Sequence, residues 1–200
     1  MNADITAVIL AGGRGTRMGG VDKGLVDVGG RPAVEYVIDA LRDQTPHILI
    51  NANRNLDRYR RYSLPVIDDG RDDFPGPLGG ILAALRRCET EWLLTAPCDA
   101  PLLARDYAAR MVSALRAAGT RACVAHDGEH RQPVFLLLAR DMAGDLQTFL
   151  DAAGRRAGEW VDGLRPAQAD FSDEPEQFLN MNTPEDRERI ERLLMKHARS

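Results

Sequence analysis

The 200-residue sequence is poor in cysteine, histidine and aromatic residues: it has three cysteines, four histidines and 6% Phe, Trp and Tyr. The cysteines, Cys88, Cys98 and Cys123, are odd in number and lack metal-ligand spacing, so they predict reduced thiols in a cytoplasmic protein. No apolar run approaches the roughly 20 residues of a membrane span, and we see no signal peptide. A formal net charge of −4 gives no overall basic field. We therefore expect neither a membrane nor a nucleic acid as partner.

What the chain does contain is a glycine-rich loop directly after an apolar segment. The segment Ile5–Leu10 predicts a buried strand, and five glycines follow within residues 12–20, together with the cations Arg14, Arg17 and Lys23. Glycines let the backbone approach a ligand closely, and successive N–H groups then form a concavity that binds anions. Cations among those N–H groups indicate several negative charges, as in the triphosphate of a nucleotide.

Two better-known phosphate loops do not fit this stretch. A P-loop needs Ser or Thr after its lysine, and here Gly24 follows Lys23. A dinucleotide fingerprint needs a third glycine where Met18 stands, and an acidic residue where the next predicted strand ends in Asn51. The loop therefore fits neither of these two patterns.

Predicted strands and helices alternate along one domain, which is typical of an α/β fold. We expect a three-layer α/β/α sandwich with a mostly parallel, mixed sheet, whose ligands bind at the carboxyl ends of the strands. Pro32 and the pair Thr183-Pro184 indicate helix starts. The predicted strands are 5–10, 47–52, 64–68, 91–96, 121–125, 133–138 and 167–171, and further helices are predicted at 79–88, 105–117 and 141–153.

The loop resembles the signature of GT-A-like nucleotidyltransferases, Leu-Ala-Gly-Gly-x-Gly-Thr-Arg-Met followed by a lysine, which starts here at Leu10. Within that class the sequence is most similar to the molybdenum cofactor guanylyltransferases, the MobA family. Further segments resemble family motifs in family order, so the resemblance covers nearly the whole chain. These segments are 19–25, 51–53, Asp69, 75–79, 97–101, 126–129 and 180–185.

The resemblance implies a Rossmann-like nucleotidyltransferase fold and transfer of GMP from GTP to the terminal phosphate of Mo-molybdopterin, with release of pyrophosphate. It divides the chain into a nucleotide-binding half at about 1–103 and an acceptor-binding half at about 104–200. Mg²⁺ is the expected metal, with Mn²⁺ as an alternative. Molybdoenzymes that receive the product, or their chaperones, are the expected protein partners.

The resemblance also assigns candidate residues. Asp99, in a turn stiffened by Pro97 and Pro101, is the expected metal ligand and contacts the nucleotide. Arg17 and Lys23 are expected to bind the triphosphate and to act in catalysis, whereas Arg14 could instead be exposed to solvent. The expected nucleotide-binding residues are Leu10, Ala11, Gly12, Gly13, Lys23, Asn51, Asp69, Gly79, Asp99, Asn180 and Asn182.

The roles of three groups of residues stay open at this point. Asn53 could make local turn bonds or contact the ligand. The pair Gly79-Gly80 could present N–H groups to an anion or permit close packing of helix and sheet. Asn180 and Asn182 stand where many related nucleotidyltransferases have Asp, so they offer a neutral oxygen at most, or they face the pterin.

Other functions are weighed against this one. A cytidylyltransferase or another nucleotidyltransferase would share the loop, and a protein that escorts the cofactor would bind GTP without chemistry. A nicotinamide-dependent oxidoreductase is a more distant alternative. The segment 126–130 lacks the spacing of a helical zinc motif, and Gly128 favours a hairpin turn near the acceptor.

Overall fold

The computed structural model describes residues 3–13, 21–70 and 76–197. Its strands are β1 (Ile5–Leu10), β2 (Asp27–Val28), β3 (Arg31–Pro32), β4 (His47–Asn51), β5 (Val66–Ile67), β6 (Trp92–Pro97), β7 (Ala122–His126), β8 (Arg131–Ala139) and β9 (Ala167–Asp170). Seven of them form one sheet in the order β5-β4-β1-β6-β8-β7-β9, and β2 pairs with β3. Only β8 runs antiparallel to its neighbours in the large sheet. This arrangement confirms the predicted mostly parallel, mixed sheet.

Helices cover both faces of the sheet. They are α1 (Ala33–Arg42), α2 (Leu56–Arg60), α3 (Pro77–Arg87), α4 (Tyr107–Ala118), α5 (Ala143–Asp151), α6 (Ala157–Leu164) and α7 (Pro184–His197). None of the helices in the described segments is long and apolar enough to cross a membrane.

The central strand β1 shows why the fold has three layers. Its side chains alternate between two apolar clusters: Ile5 and Ile9 pack in the one that contains α1 and α4, and Val8 and Leu10 in the one that contains α3 and α5. Every residue of β1 is buried. Each such side chain contributes about 1.5–3 kcal/mol when fully buried, so β1 must lie between two layers of helices.

Several predicted boundaries are wrong in detail. Pro32 ends β3 and precedes α1 rather than opening it. The helix expected from Gly79 begins at Pro77, where the fixed φ of proline suits the first turn. The strand expected at 64–68 is only two residues long, and α6 was not predicted.

The register of the sheet brings three strand ends to one edge. Leu10 at the end of β1 lies beside Asn51 of β4 on one side and Pro97 of β6 on the other. Backbone hydrogen bonds extend this alignment, because Ala11 N donates to Asn51 O at 2.7 Å and Cys98 N donates to Leu10 O at 3.1 Å. The segments that follow these strands therefore share one location.

Candidate active site

A cleft of about 360 Å³ opens at the carboxyl ends of β1, β4 and β6. It combines the start of the glycine loop, the turn after β6 and two asparagines from near the C-terminus. Its lining consists of Leu10, Ala11, Gly12, Gly13, Asp22, Lys23, Asn51, Gly76, Pro77, Pro97, Cys98, Asp99, Val134, Asn180 and Asn182. Ten of the eleven residues expected to bind the nucleotide lie in the cleft or, for Asp69, in hydrogen-bond contact with its lining.

Lys23 forms the charged centre of this cleft. It begins a short 3₁₀ turn, Lys23–Leu25, and its Nζ donates to Asp99 Oδ2 at 3.0 Å and to Asn182 Oδ1 at 2.6 Å. Asp99 and Asn182 lie 76 and 159 positions from Lys23 in sequence. A single cation therefore joins three distant parts of the chain at one point.

Asp99 is held by backbone contacts on both sides of its turn. It follows Cys98, whose N–H bonds to the end of β1, and its own carbonyl oxygen accepts a hydrogen bond from Met181 N at 3.3 Å. The residue is 7% exposed. Burying a carboxylate is costly unless it is hydrogen-bonded or paired, and Lys23 supplies both a hydrogen bond and a positive charge here.

The other expected phosphate ligand, Arg17, lies outside the described residues, as does Arg14. The loop is described only as far as Gly13 and again from residue 21.

A second cluster, which we call the amide cluster, consists of Asn51, Asn53 and Asp69. Asn51 Nδ2 and Asn53 Nδ2 each donate to a different oxygen of the Asp69 carboxylate at 2.7 Å, and Asp69 N donates to Asn53 Oδ1 at 3.0 Å. Asn53 Nδ2 also lies 3.4 Å from Gly12 O. These partners lie 16 and 41 positions from Asn53 in sequence, so its bonds are not the local turn bonds that were one expectation; they tie the glycine loop to this cluster.

The two glycines at 79 and 80 lie inside α3 rather than before it, which corrects the expectation for Gly79. The N–H of Gly79 donates to Gly76 O at 3.3 Å, so it is not free for an anion, and Gly79 does not line the cleft. A Cβ on Gly80 would lie 2.1 Å from Asn51 Oδ1. Gly80 thus permits the close packing of helix and sheet that leaves room for Asn51.

The oxygen atoms around Lys23 Nζ are suitable for a divalent cation. Asp99 offers a carboxylate and Asn182 a carbonyl oxygen, and the buried Oδ1 of Asn180 in the same cleft has no hydrogen-bond partner. Mg²⁺ is often held by one or two protein oxygens together with phosphate oxygens and water. Across the described segments no group of three or more His, Cys, Asp or Glu could hold a metal alone. An ion at Asp99 would therefore need substrate oxygens or water to complete its coordination.

Two candidate groups prove to be structural. Burial raises the pKa of the Cys98 thiol well above its usual value, with the carboxylates of Asp99 and Asp22 adding to the shift, so this cysteine is a packed thiol rather than a nucleophile. In the segment 126–130, Gly128 has φ of +101° and Asp127 Oδ1 accepts N–H bonds from residues 129 and 130. This segment is a hairpin between β7 and β8, as predicted.

Sequence reasoning missed Asp22, which is as buried as Asp99. Tyr59 Oη donates to Asp22 Oδ1 at 2.6 Å, and Asn55 Nδ2 donates to Asp22 Oδ2 at 2.9 Å. The signals were its place directly before Lys23 and within the segment 19–25 that resembles a family motif. Its partners come from α2 and the residue before it, which nothing in the sequence links to the glycine loop.

A larger groove, of about 830 Å³, lies elsewhere on the molecule, between α1 and α7. It contains neither Lys23 nor Asp99 and is bordered by charged side chains that mostly pair within the chain, such as Arg31 with Asp39 and Arg105 with Asp43. The convergence of functional groups therefore favours the smaller cleft as the active site.

An α/β sandwich with a glycine-rich loop, a lysine and a buried aspartate at the carboxyl ends of its central strands defines a nucleotide-binding α/β enzyme. Comparison with known protein families identifies the enzyme class more closely. Residues 7–166 match the family model described as the MobA-like NTP transferase domain. The chain belongs to this family and is a nucleotidyltransferase.

Relatives match this chain over nearly its full length and theirs. The molybdenum cofactor guanylyltransferase of Vibrio cholerae is 46% identical over 184 residues, which span 92% of this chain and 90% of that protein. The crystal structure of molybdopterin-guanine dinucleotide biosynthesis protein A from Archaeoglobus fulgidus has a TM-score of 0.77 at 21% identity, covering 96% and 99% of the two chains. The structure of a Mycobacterium tuberculosis protein in complex with manganese has a TM-score of 0.65 at 16% identity and covers 94% and 97%. The resemblance to the MobA family is thereby confirmed.

Proposed function

We propose that the protein transfers GMP from GTP to the terminal phosphate of Mo-molybdopterin, producing the guanine dinucleotide form of the cofactor and pyrophosphate. The name shared by the close relatives supports this substrate pair. The geometric observation that carries the proposal is the meeting of Lys23, Asp99 and Asn182 in a cleft beside the glycine loop. The product would then pass to molybdoenzymes or their chaperones.

Within the cleft we assign the guanosine to the amide cluster and the triphosphate to the side of Lys23. Amide groups and a carboxylate offer both donors and acceptors for the polar edge of a base or for ribose hydroxyls. The backbone at Gly12 and Gly13 also lines the cleft and carries no side chain that would keep phosphates away. In this arrangement the acceptor approaches from residues 104–200, where the hairpin between β7 and β8 lies at the same edge of the sheet.

The chemistry of this transfer suits the residues present. A phosphate monoester oxygen of the acceptor attacks the α-phosphorus of GTP, a new P–O–P linkage forms, and the bond between the α-phosphorus and the bridging oxygen to the β-phosphorus breaks. The second pKa of a phosphate monoester is about 6, so the nucleophile is already ionised at neutral pH. A general base is therefore not required.

The main barrier is repulsion between the anionic acceptor and the anionic α-phosphate. In the proposed complex Lys23 donates to triphosphate oxygens, and Asp99 and Asn182, released from Lys23, are free to hold a divalent cation. Such a cation, Mg²⁺ or Mn²⁺, supplies charge neutralisation at the phosphates when bound. The protein's contribution is otherwise to position donor and acceptor and to direct fixed dipoles at the developing charge.

The buried, unpaired state of the three cysteines is consistent with a reducing compartment. We therefore propose the cytoplasm as the site of the reaction.

The test is an assay of pyrophosphate release with Mo-molybdopterin as acceptor and each of GTP, CTP and ATP as donor, in parallel reactions with Mg²⁺ or Mn²⁺. We expect release that needs the acceptor, prefers GTP, and yields the guanine dinucleotide by mass spectrometry. Faster release with CTP would reassign the protein as a cytidylyltransferase. GTP binding without any pyrophosphate release would instead indicate a protein that escorts the cofactor.

A further inference from the structure

Asp22 and Asp99 are the two acidic residues that the described segments bury, with 8% and 7% of their surface exposed. Asp99 lies in the proposed catalytic machinery, where its partner is Lys23. Asp22 has different partners and the proposed reaction gives it no role. A carboxylate is costly to bury, so its position calls for a physical explanation.

The partners of Asp22 come from the segment around α2. Tyr59, which is fully buried, donates a hydrogen bond from its hydroxyl group to Asp22 Oδ1 at 2.6 Å. Asn55 donates to Oδ2 at 2.9 Å, and it lies before α2 with φ of +51°, a left-handed conformation that asparagine tolerates better than most residues. Arg54 Nε lies 3.9 Å from the same oxygen. Both carboxylate oxygens are therefore held from one side.

The backbone of Asp22 starts the turn that carries Lys23. Leu25 N donates to Asp22 O at 3.0 Å, and Val26 N donates to Lys23 O at 3.3 Å. Two consecutive side chains thus anchor this turn to different parts of the molecule: Asp22 to the α2 segment, and Lys23 to Asp99 and Asn182.

The next residue of the turn, Gly24, shows how closely it is packed. A Cβ at this position would lie 2.7 Å from Tyr59 Oη and 3.0 Å from both Cβ and Sγ of Cys98. The turn is therefore enclosed between the tyrosine that holds Asp22 and the cysteine that precedes Asp99. A change in the Asp22–Tyr59 contact would be transmitted directly to the position of Lys23.

We propose that Asp22, held by Tyr59 and Asn55, is a positioning residue that fixes the Lys23 turn so that the ammonium group reaches the triphosphate. This inference rests on the proposed function, because it assigns Lys23 to the phosphates of GTP. It extends that function by making the α2 segment, which does not line the cleft, part of the phosphate-binding machinery.

The decisive variant is Tyr59→Phe, which removes one hydroxyl group and keeps the buried ring. We expect the affinity for GTP, measured by calorimetry, to fall about five- to tenfold because one charge-assisted hydrogen bond to Asp22 is lost. The affinity for guanosine, which has no phosphates, should stay unchanged. A purely structural role would not distinguish the two ligands.

A double-mutant cycle tests whether the effect passes through Lys23. In a Lys23→Ala background, Tyr59→Phe should cause no further loss of GTP affinity. The matched control is Tyr107→Phe, since Tyr107 is equally buried and donates to a backbone carbonyl, Thr95 O, at 2.9 Å. It should lower the thermal midpoint without changing the ratio of GTP to guanosine affinity.

Asp22→Asn provides a second approach, because it keeps the shape of the side chain but requires Tyr59 or Asn55 to bond a neutral group. We expect the same selective loss of GTP affinity. Equal loss for GTP and guanosine, an unchanged GTP affinity in Tyr59→Phe, or an undiminished effect in the Lys23→Ala background would each overturn the inference. A wild-type protein that bound no GTP would instead overturn the proposed function itself.

Discussion

The two ends of the cleft are built in opposite ways. In the amide cluster a carboxylate, Asp69, is bonded by the neutral amides of Asn51 and Asn53, whose positions lie within 18 residues of it in sequence. At the other end the carboxylate of Asp99 is bonded by a full positive charge, and the three groups come from the beginning, middle and end of the chain.

Because of this difference, the amide cluster is a preformed binding surface, whereas the contacts of Lys23 can be exchanged for contacts with a ligand. Neutral amides already satisfy Asp69 and hold it in place, so a ligand adds bonds to a fixed arrangement. At the other end the Lys23 ammonium lies between the side-chain oxygens of Asp99 and Asn182. Phosphates and a metal would therefore have to replace these bonds rather than add to them. Changes at the two ends should therefore have different consequences.

The largest effect is expected for Asp99→Asn, which keeps the shape of the side chain and removes its charge. Transfer should fall by about a thousandfold or more, because the metal that would neutralise the phosphates loses its anionic ligand. Pyrophosphate release measures the loss of transfer, and a thermal melt should show that the fold survives. As control, Asp141→Asn removes an exposed carboxylate that pairs with Arg121 at 2.8 Å and should leave turnover unchanged. Normal turnover in Asp99→Asn would contradict the assignment.

A second prediction concerns competition between a metal ion and the ammonium group of Lys23. Lys23→Met removes the ammonium that lies on Asp99 and Asn182, so Mn²⁺ should bind the nucleotide-free protein about tenfold more tightly. Electron paramagnetic resonance of free Mn²⁺ gives the affinity without any turnover. Adding Asp99→Asn to this variant should remove the gain. If Lys23→Met bound Mn²⁺ no better than wild type, the ammonium would not occupy the position of the metal.

The amide cluster should respond to packing rather than to charge. Gly80→Ala places a Cβ 2.1 Å from Asn51 Oδ1, so it should destabilise the protein by about 1–3 kcal/mol and lower the preference for guanine. Gly158→Ala in α6 is the matched control, because nothing lies within 4 Å of its added Cβ. That variant should be neutral or stabilising, by up to about 1 kcal/mol. Urea titrations and competition between GTP and CTP measure both quantities, and similar results for the two alanines would refute the packing argument.

The same contrast explains what the sequence allowed us to predict. The strand ends and the turns after them are marked by apolar runs followed by Gly, Pro, Asn or Asp, so Asn51, Asp69 and Asp99 could be assigned to one edge of the sheet. The Asp22–Tyr59 bond joins residues 37 positions apart and leaves no local pattern. Gly158 and Gly163 interrupt the apolar periodicity of α6, and Pro77 starts α3 two residues before Gly79, where the helix was predicted to begin.

The smallest effect concerns an ion pair outside the cleft, between Arg110 and Asp173, whose shortest N–O distance is 2.5 Å. Arg110 also lies over the ring of Phe171, with 4.3 Å between the guanidinium carbon and the ring centroid. The hydrogen bond from Arg110 lowers the pKa of the Asp173 carboxyl below its usual value. Unlike Asp99, Asp173 is largely exposed, so solvent screens the pair and its contribution to stability is small.

The sign of the pH dependence follows from the direction of that shift. A carboxyl with a lowered pKa in the folded state stabilises the protein above its unfolded pKa, about 3.9, and this contribution is lost as the pH falls through the folded value. Asp173→Asn should therefore lower the thermal midpoint slightly at about pH 7 and leave it unchanged at about pH 2, by the same linkage. Transfer activity at neutral pH should not change, since the pair does not line the cleft. A loss of activity comparable to that of Asp99→Asn would show that charge at this edge of the sheet acts on the reaction, and the distinction between catalytic and structural ion pairs drawn from burial would then be wrong.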